Sequence, residues 1–200
     1  MKFTISAVAL FLLIALLLLT GCSEKGQQIP KFPMQALASE HAVKGKLYLA
    51  ADGTVEKYTV YVTRNGIPDW VHQMADEKIG LGTDESYEVE LYADGSEVYE
   101  VRRTVEGRAL ELSVKRDRTL KYIERQLDET DLPEPVLATV RGVANFSAER
   151  YAIKEGPGLE EYHIRGKIGE VDHRLRVRKD GHLVAVQRQL PGAFEIAIRR

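Results

Sequence analysis

From Leu47 onward the chain alternates apolar and polar residues with a period of two, and it breaks that alternation at Asp52-Gly53, Asp94-Gly95, Glu106-Gly107, Gly156-Pro157-Gly158 and Asp180-Gly181. A period of two gives strands with one apolar face, and Asp-Gly between such runs gives tight hairpins, so an antiparallel meander is dictated before any other feature is considered. The pattern also recurs. Leu47-Tyr48-Leu49 leads to Asp52-Gly53 and Val55, Leu112-Ser113-Val114 to Asp117-Arg118 and Leu120, and Leu175-Arg176-Val177 to Asp180-Gly181 and Leu183, with offsets of 65 and 63 residues. Ile67-Pro68-Asp69-Trp70-Val71 matches Leu132-Pro133-Glu134-Pro135-Val136 in the same register, as Tyr99-Glu100-Val101 matches Tyr162-His163-Ile164. Fixed spacing of this kind marks a tandem arrangement.

Each unit then opens with a proline at the first helical turn, where its missing amide hydrogen is not needed. Val71, Met74, Ala75 and Ile79 supply the apolar stripe of the first helix, which Gly80 terminates; Val136, Leu137, Val140 and Val143 supply that of the second. Strands are expected near 86–92, 97–105, 109–115 and 119–126 in unit one, and near 148–154, 160–166, 171–178 and 183–189 in unit two. The expected fold class is α+β: two tandem units, each one helix packed on a four-stranded antiparallel meander. Val89, Leu91, Tyr99, Val101, Leu110, Leu112, Val114, Tyr151, Ile153, Tyr162, Ile164, Leu175 and Val177 face inward by alternation. A unit of about 60 residues buries only about 60% of its unfolded surface, so the two sheets are expected to adjoin. The hairpin from Leu47 to Val62 adds a pair of strands ahead of the first unit.

The N-terminus carries a different signal. Lys2 precedes an apolar run from Ala7 to Leu19, then Thr20, Gly21 and the single cysteine, Cys22. The run is too short for the roughly 20 residues of a membrane-spanning helix and has the layout of a secretory signal. Leu19-Thr20-Gly21-Cys22 resembles the lipobox of bacterial lipoproteins, which implies cleavage before Cys22 and a covalent lipid on it. That lipid is the only cofactor-like group expected, and it implies attachment to the membrane. An ordinary secretory signal that leaves Cys22 as a free thiol is the alternative. Ser23 resembles the residue that permits export to the outer membrane in Gram-negative sorting, so the implied place is the cell envelope, facing the periplasm in such an organism. The expected division is signal 1–21, tether 22–44 with a short helix from Met34 to Ala42, first unit with its extra hairpin 45–127, and second unit 128–200. One cysteine allows no disulfide within the chain.

Helix then four-stranded meander, in tandem, behind a lipoprotein signal, resembles the PepSY-like family, related in fold to the β-lactamase inhibitor proteins. The residues that carry this resemblance are Asp131-Leu132-Pro133-Glu134-Pro135-Val136, Tyr162-His163-Ile164, and the run from Leu175 through Asp180-Gly181 to Leu183. Trp70, His72 and Arg118 depart from the pattern in unit one. The resemblance implies a non-catalytic protein that binds or inhibits an envelope protein, or a structural module of a larger envelope assembly.

A net charge of −2 over 200 residues lacks the basic excess of a general nucleic-acid binder. No Gly-x-Ser-x-Gly and no phosphate loop is present, and no catalytic residue is assigned. His163 and His173, brought together across paired strands and joined by His182, would be the one histidine grouping for a metal; solvated strand histidines are the favoured reading, and no metal site is assigned. Glu88, Glu90, Glu100 and Glu111 share an open face, which offers none of the desolvation or coupling that acid–base chemistry needs. In unit two, alternation places Arg150, Lys154, Arg165, Arg174, Arg176 and Arg178 on one face with His163, a candidate basic platform for an acidic partner. Pairing with Glu149, Glu161 and Glu170, or with the acidic sheet of unit one, is the competing reading. Tyr48, Tyr58, Tyr61 and Tyr92 are either aromatic anchors or half-buried strand residues.

Overall fold

The structure is a computed structural model and describes residues 37–192, all within one compact unit. Leu19, Thr20, Gly21 and Cys22 lie outside the described residues, as does the start of the expected helix from Met34. Of that helix only Leu37 is helical among the described residues, and the chain bends before a strand begins at Ala42.

Ten strands form a single antiparallel sheet whose spatial order is the sequence order. They are β1 Ala42–Leu49, β2 Val55–Val62, β3 Thr83–Tyr92, β4 Glu97–Val105, β5 Arg108–Lys115, β6 Leu120–Leu127, β7 Phe146–Gly156, β8 Leu159–Ile168, β9 Val171–Arg178 and β10 Leu183–Arg188. Two short helices, α1 Asp69–Ile79 and α2 Glu134–Gly142, interrupt the meander after β2 and after β6. The expected pair of separate helix-on-four-strand units is therefore corrected to one continuous sheet carrying two helices. β6 and β7 join the halves, pairing from Ile123 opposite Glu155 to Leu127 opposite Tyr151. Two separate meanders would each expose an unpaired edge of backbone donors and acceptors, and fusing them removes both edges.

Pro68 and Pro133 stand just before the two helices, each following a short 3-10 turn and a buried apolar residue, Ile67 or Leu132. Gly80, at φ 85°, stops α1. Arg103 of β4 secures that end from below: its Nη1 donates to the Gly80 carbonyl at 2.6 Å and to Asp76 at 2.8 Å, and its Nε to Asp84 at 2.8 Å. α1 covers Val60, Val89, Tyr99, Val101, Leu112 and Val114, while α2 covers Ile153, Tyr162, Ile164, Leu175 and Val177. These clusters contain most of the apolar positions that alternation turns inward, and Leu112, Ile164 and Leu175 are fully buried. Among the described residues no helix is long and apolar enough to cross a membrane.

A charged cavity on the helix-free face

Residues that alternate with the two cores point to the other side of the sheet. In a flat sheet β1 and β9 would lie about 38 Å apart at ~4.8 Å per strand. Yet one cavity of about 320 Å³ is lined by Lys44, Lys46 and Tyr48 of β1 and by Arg174 of β9, with every intervening strand contributing. The sheet must therefore curl until this face is concave. Right-handed twist supplies part of the curl, and register shifts within the β1–β2, β3–β4, β5–β6 and β7–β8 ladders add local bending.

Curling buries charge. Register lines the polar side chains into rows that cross the strands. Lys44, Tyr61, Glu88, Glu100, Ser113 and Tyr122 form one row, a residue per strand from β1 to β6. Arg102, Glu111, Glu124, Lys154, Glu161 and Arg178 form a second, from β4 to β9. Arg150, Arg165 and Arg174 form a third, across β7, β8 and β9. The open acidic face expected from sequence is overturned here: Glu90 is 2% exposed and Glu100 4%.

Each buried carboxylate has its own remedy. Glu90 takes Lys57 and Lys121, the latter at 3.0 Å, and accepts the Tyr92 hydroxyl at 2.6 Å. Burial alone would raise its pKa, but the two ammonium groups outweigh burial and hold it below the usual carboxylate range. Glu124 is treated likewise: burial opposes ionisation, and Lys154 at 3.1 Å, followed by His163, overcomes it. Lys154 also reaches Glu111 at 3.6 Å and lies 3.7 Å from the centroid of the Tyr122 ring. Glu100 has no lysine of its own; it accepts the Ser113 hydroxyl at 3.0 Å and the Tyr122 hydroxyl. Burial, then the neighbouring Glu90 and Glu111 charges, push Glu100 upward. Burial, then Glu100, lift Glu88 to about 7.

Glu88, Glu100 and Glu111 each offer an oxygen, all within 4.8 Å of one another. Hydroxyls of Ser113 and Tyr122 and the ammonium of Lys154 lie among them, and their charges also act on one another. The histidine grouping does not form, since His163 pairs with Arg176 on the concave face whereas His173 pairs with Gly166 and takes its place on the helix side. His163 is buried between Glu161 at 3.5 Å and Glu124 at 3.9 Å, and burial drives its pKa down to about 4.

The six basic residues singled out in unit two share the concave face but not one condition. Lys154 is ion-paired inside it, and Arg176 is forked onto Glu161 at 2.9 and 3.1 Å. Arg178 is exposed at the end of its row. Arg150, Arg165 and Arg174 stand abreast with no carboxylate between them. Lys46, Lys57, Lys121, Ser113, Tyr122 and Glu124 complete the site and were not singled out from sequence. For all but Lys121 the signal was present, because each sits an even number of residues from a concave-face position on its own strand; Lys121, next to Tyr122, reaches this face at the register shift between Ser113 and Val114. Tyr48, Tyr61 and Tyr92 turn to this face, with lysine ammoniums over their rings, whereas Tyr58 is buried on the helix side.

No protein-family profile matches the chain. No curated protein matches it either. Among solved structures, a DUF2874 family protein from Bacteroides uniformis is similar at 7% identity and a TM-score of 0.48, over 61% of this chain and 89% of that one. A BLIP-like protein from Bacteroides fragilis is similar at 18% identity and a TM-score of 0.45, over 65% and 92%. A DUF2874 family protein from Bacteroides ovatus is similar at 16% identity and a TM-score of 0.46, over 60% and 86%.

Proposed function

We propose that this chain is a lipid-anchored envelope protein that works without catalysis, binding another envelope protein on its concave sheet face. The observation that carries the binding part is the cavity: strands β1 to β9 all contribute to one charged concavity, and at its β7–β9 end Arg150, Arg165 and Arg174 stand abreast. The anchoring part rests on Leu19-Thr20-Gly21-Cys22. Two or three acyl chains on Cys22 would hold the protein firmly, whereas one gives only marginal attachment.

The carboxylates lifted toward neutrality favour a second reading, an acid–base site, because desolvated and coupled carboxyl groups are what such sites use. Glu100 takes both the Ser113 and the Tyr122 hydroxyl on one oxygen and is almost fully buried, and His163 is enclosed, which leaves Glu88 as the most exposed of the raised carboxyls that line the cavity.

The test expresses the full-length chain and its Cys22→Ala variant in a bacterial host and compares intact mass and membrane fractionation. A photo-cross-linker is then placed at Arg150 on the concave face or at Glu77 on the outer side of α1. The expected result is a diacylglycerol-class mass on the parent only, with one discrete adduct from position 150 and none from 77. Equal mass and fractionation of parent and variant would remove the anchor, and equal adducts from both positions would remove the concave-face assignment.

A further inference from the structure

On neighbouring strands, like charges set directly opposite one another destabilise a sheet. Arg150 is opposite Arg165, and Arg165 is opposite Arg174. Several other cations on this face have carboxylates: Lys57 and Lys121 share Glu90, Lys154 bridges Glu111 and Glu124, and Arg176 forks onto Glu161, while Lys44 and Lys46 rest on Tyr61. Among the described residues, Arg150, Arg165 and Arg174 make no hydrogen bond and no ion pair. Lys46 brings further positive charge from the opposite wall, where it feels both Arg165 and Arg174. The carboxyl that acts on Lys46 is Glu88, which gives up its proton only near pH 7.

A row of three guanidiniums with no ion pair of its own, which Glu124 and Glu111 influence only from beyond ion-pair distance, is explained by an anion that arrives from outside. The guanidinium fork matches a carboxylate in two parallel hydrogen bonds. The row crosses two strand gaps, about 10 Å, and alternate side chains of an extended chain recur every ~7 Å. At about 320 Å³ the cavity admits side chains rather than a folded body. We propose that the Arg150–Arg165–Arg174 row is an anion subsite that receives the carboxylates of an acidic, extended segment of a partner protein. This deepens the binding function proposed above and rests on it.

Calorimetry on the full-length chain in detergent at low salt tests the subsite with an alternating Glu-Ser octapeptide, a Gln-Ser octapeptide of equal length and inorganic phosphate. The acidic peptide is expected to bind and the Gln-Ser peptide is not. Arg165→Gln and Arg174→Gln are each expected to weaken binding at least tenfold, and Arg165→Gln, which has an arginine opposite it on both sides, is expected to raise Tm because the repulsion is relieved. Lys179→Gln, outside the row, leaves binding unchanged. A fall in Tm on Arg165→Gln would make the row a structural feature and overturn the proposal. So would absence of binding, equal binding of both peptides, or phosphate binding tighter than the peptide with the same arginine dependence. If the position-150 adduct persists undiminished in Arg165→Gln, the subsite fails while concave-face binding stands.

Discussion

Glu88 loses its proton only near neutrality, and the direction of the effect on stability follows from that. Its pKa rises from 4.5 to about 7 on folding, first through burial and then through Glu100. Between those two values the folded chain keeps a proton that the unfolded chain releases, so stability declines as pH rises through the window and levels off above it. Burial, and then neighbouring carboxylates, also raise Glu100 and Glu111, which adds to the decline. His163 works in the opposite sense, because burial lowers it from 6.5 to about 4 and stability then rises with pH across that interval. Three carboxyls outweigh one imidazole, so Tm is expected to be lower at pH 8 than at pH 5. Glu88→Gln should shrink that difference by at most about 3 kcal/mol of unfolding free energy. A thermal melt series checks it, and an unchanged difference would mean that Glu88 titrates as an ordinary surface carboxyl. The residues of this site were legible in part. Alternation correctly assigns Glu88, Glu90, Glu100 and Glu111 to the face away from the helices, yet strand periodicity carries no information on how far a sheet curls. Exposure was therefore misread while side was not.

At the level of elements, the signals that succeeded are the ones with a local cause. Pro68, Pro133 and Gly80 bracket helices because each acts within a turn of its own position. The Asp-Gly turns place strand ends to within a few residues for the same reason. The expected helix from Met34 fails in its described part, where β1 takes over at Ala42 by pairing with Val62. That pairing is set by a partner twenty residues away and outweighs local propensity. That the two sheets adjoin was expected from size, but the β6–β7 pairing that joins them was not legible, and Gly156 lies close against it. A Cβ on Gly156 would sit 2.1 Å from the Lys121 carbonyl oxygen, a backbone atom that cannot swing aside. Gly156→Ala is expected to cost about 2 kcal/mol or more, in the range of overpacked positions. Gly158→Ala, in the adjoining turn, meets no neighbouring atom and serves as the contrast for space, although its φ of 73° carries its own strain. Urea titration distinguishes them: a loss no larger at 156 than at 158 would mean that the two strands separate without consequence.

Across the whole molecule, two hydrophobic clusters under two helices share one sheet, and charge crosses their boundary. Lys154 of β7 holds Glu124 of β6 and Glu111 of β5, and Arg125 reaches Glu155 at 2.6 Å. The clusters are therefore expected to unfold together. Leu112→Ala under α1 and Leu175→Ala under α2 should each cost about 2 to 5 kcal/mol and move one common transition. Calorimetry that resolves two transitions, each shifted by only one substitution, would show two independent bodies. Sequence pattern supplied the helices, the strands and the inward face; the single sheet depended on β6 finding β7, which pairwise alternation cannot announce. Strand order that equals sequence order has a kinetic side as well. Every strand lies beside its chain neighbour, and only the β2–β3 and β6–β7 pairings close over a helix-bearing segment, so for the other pairings the entropic barrier that slows most all-β topologies is small. Within each run of strands between the helices the sheet can assemble one hairpin at a time, each new strand finding its template already in place.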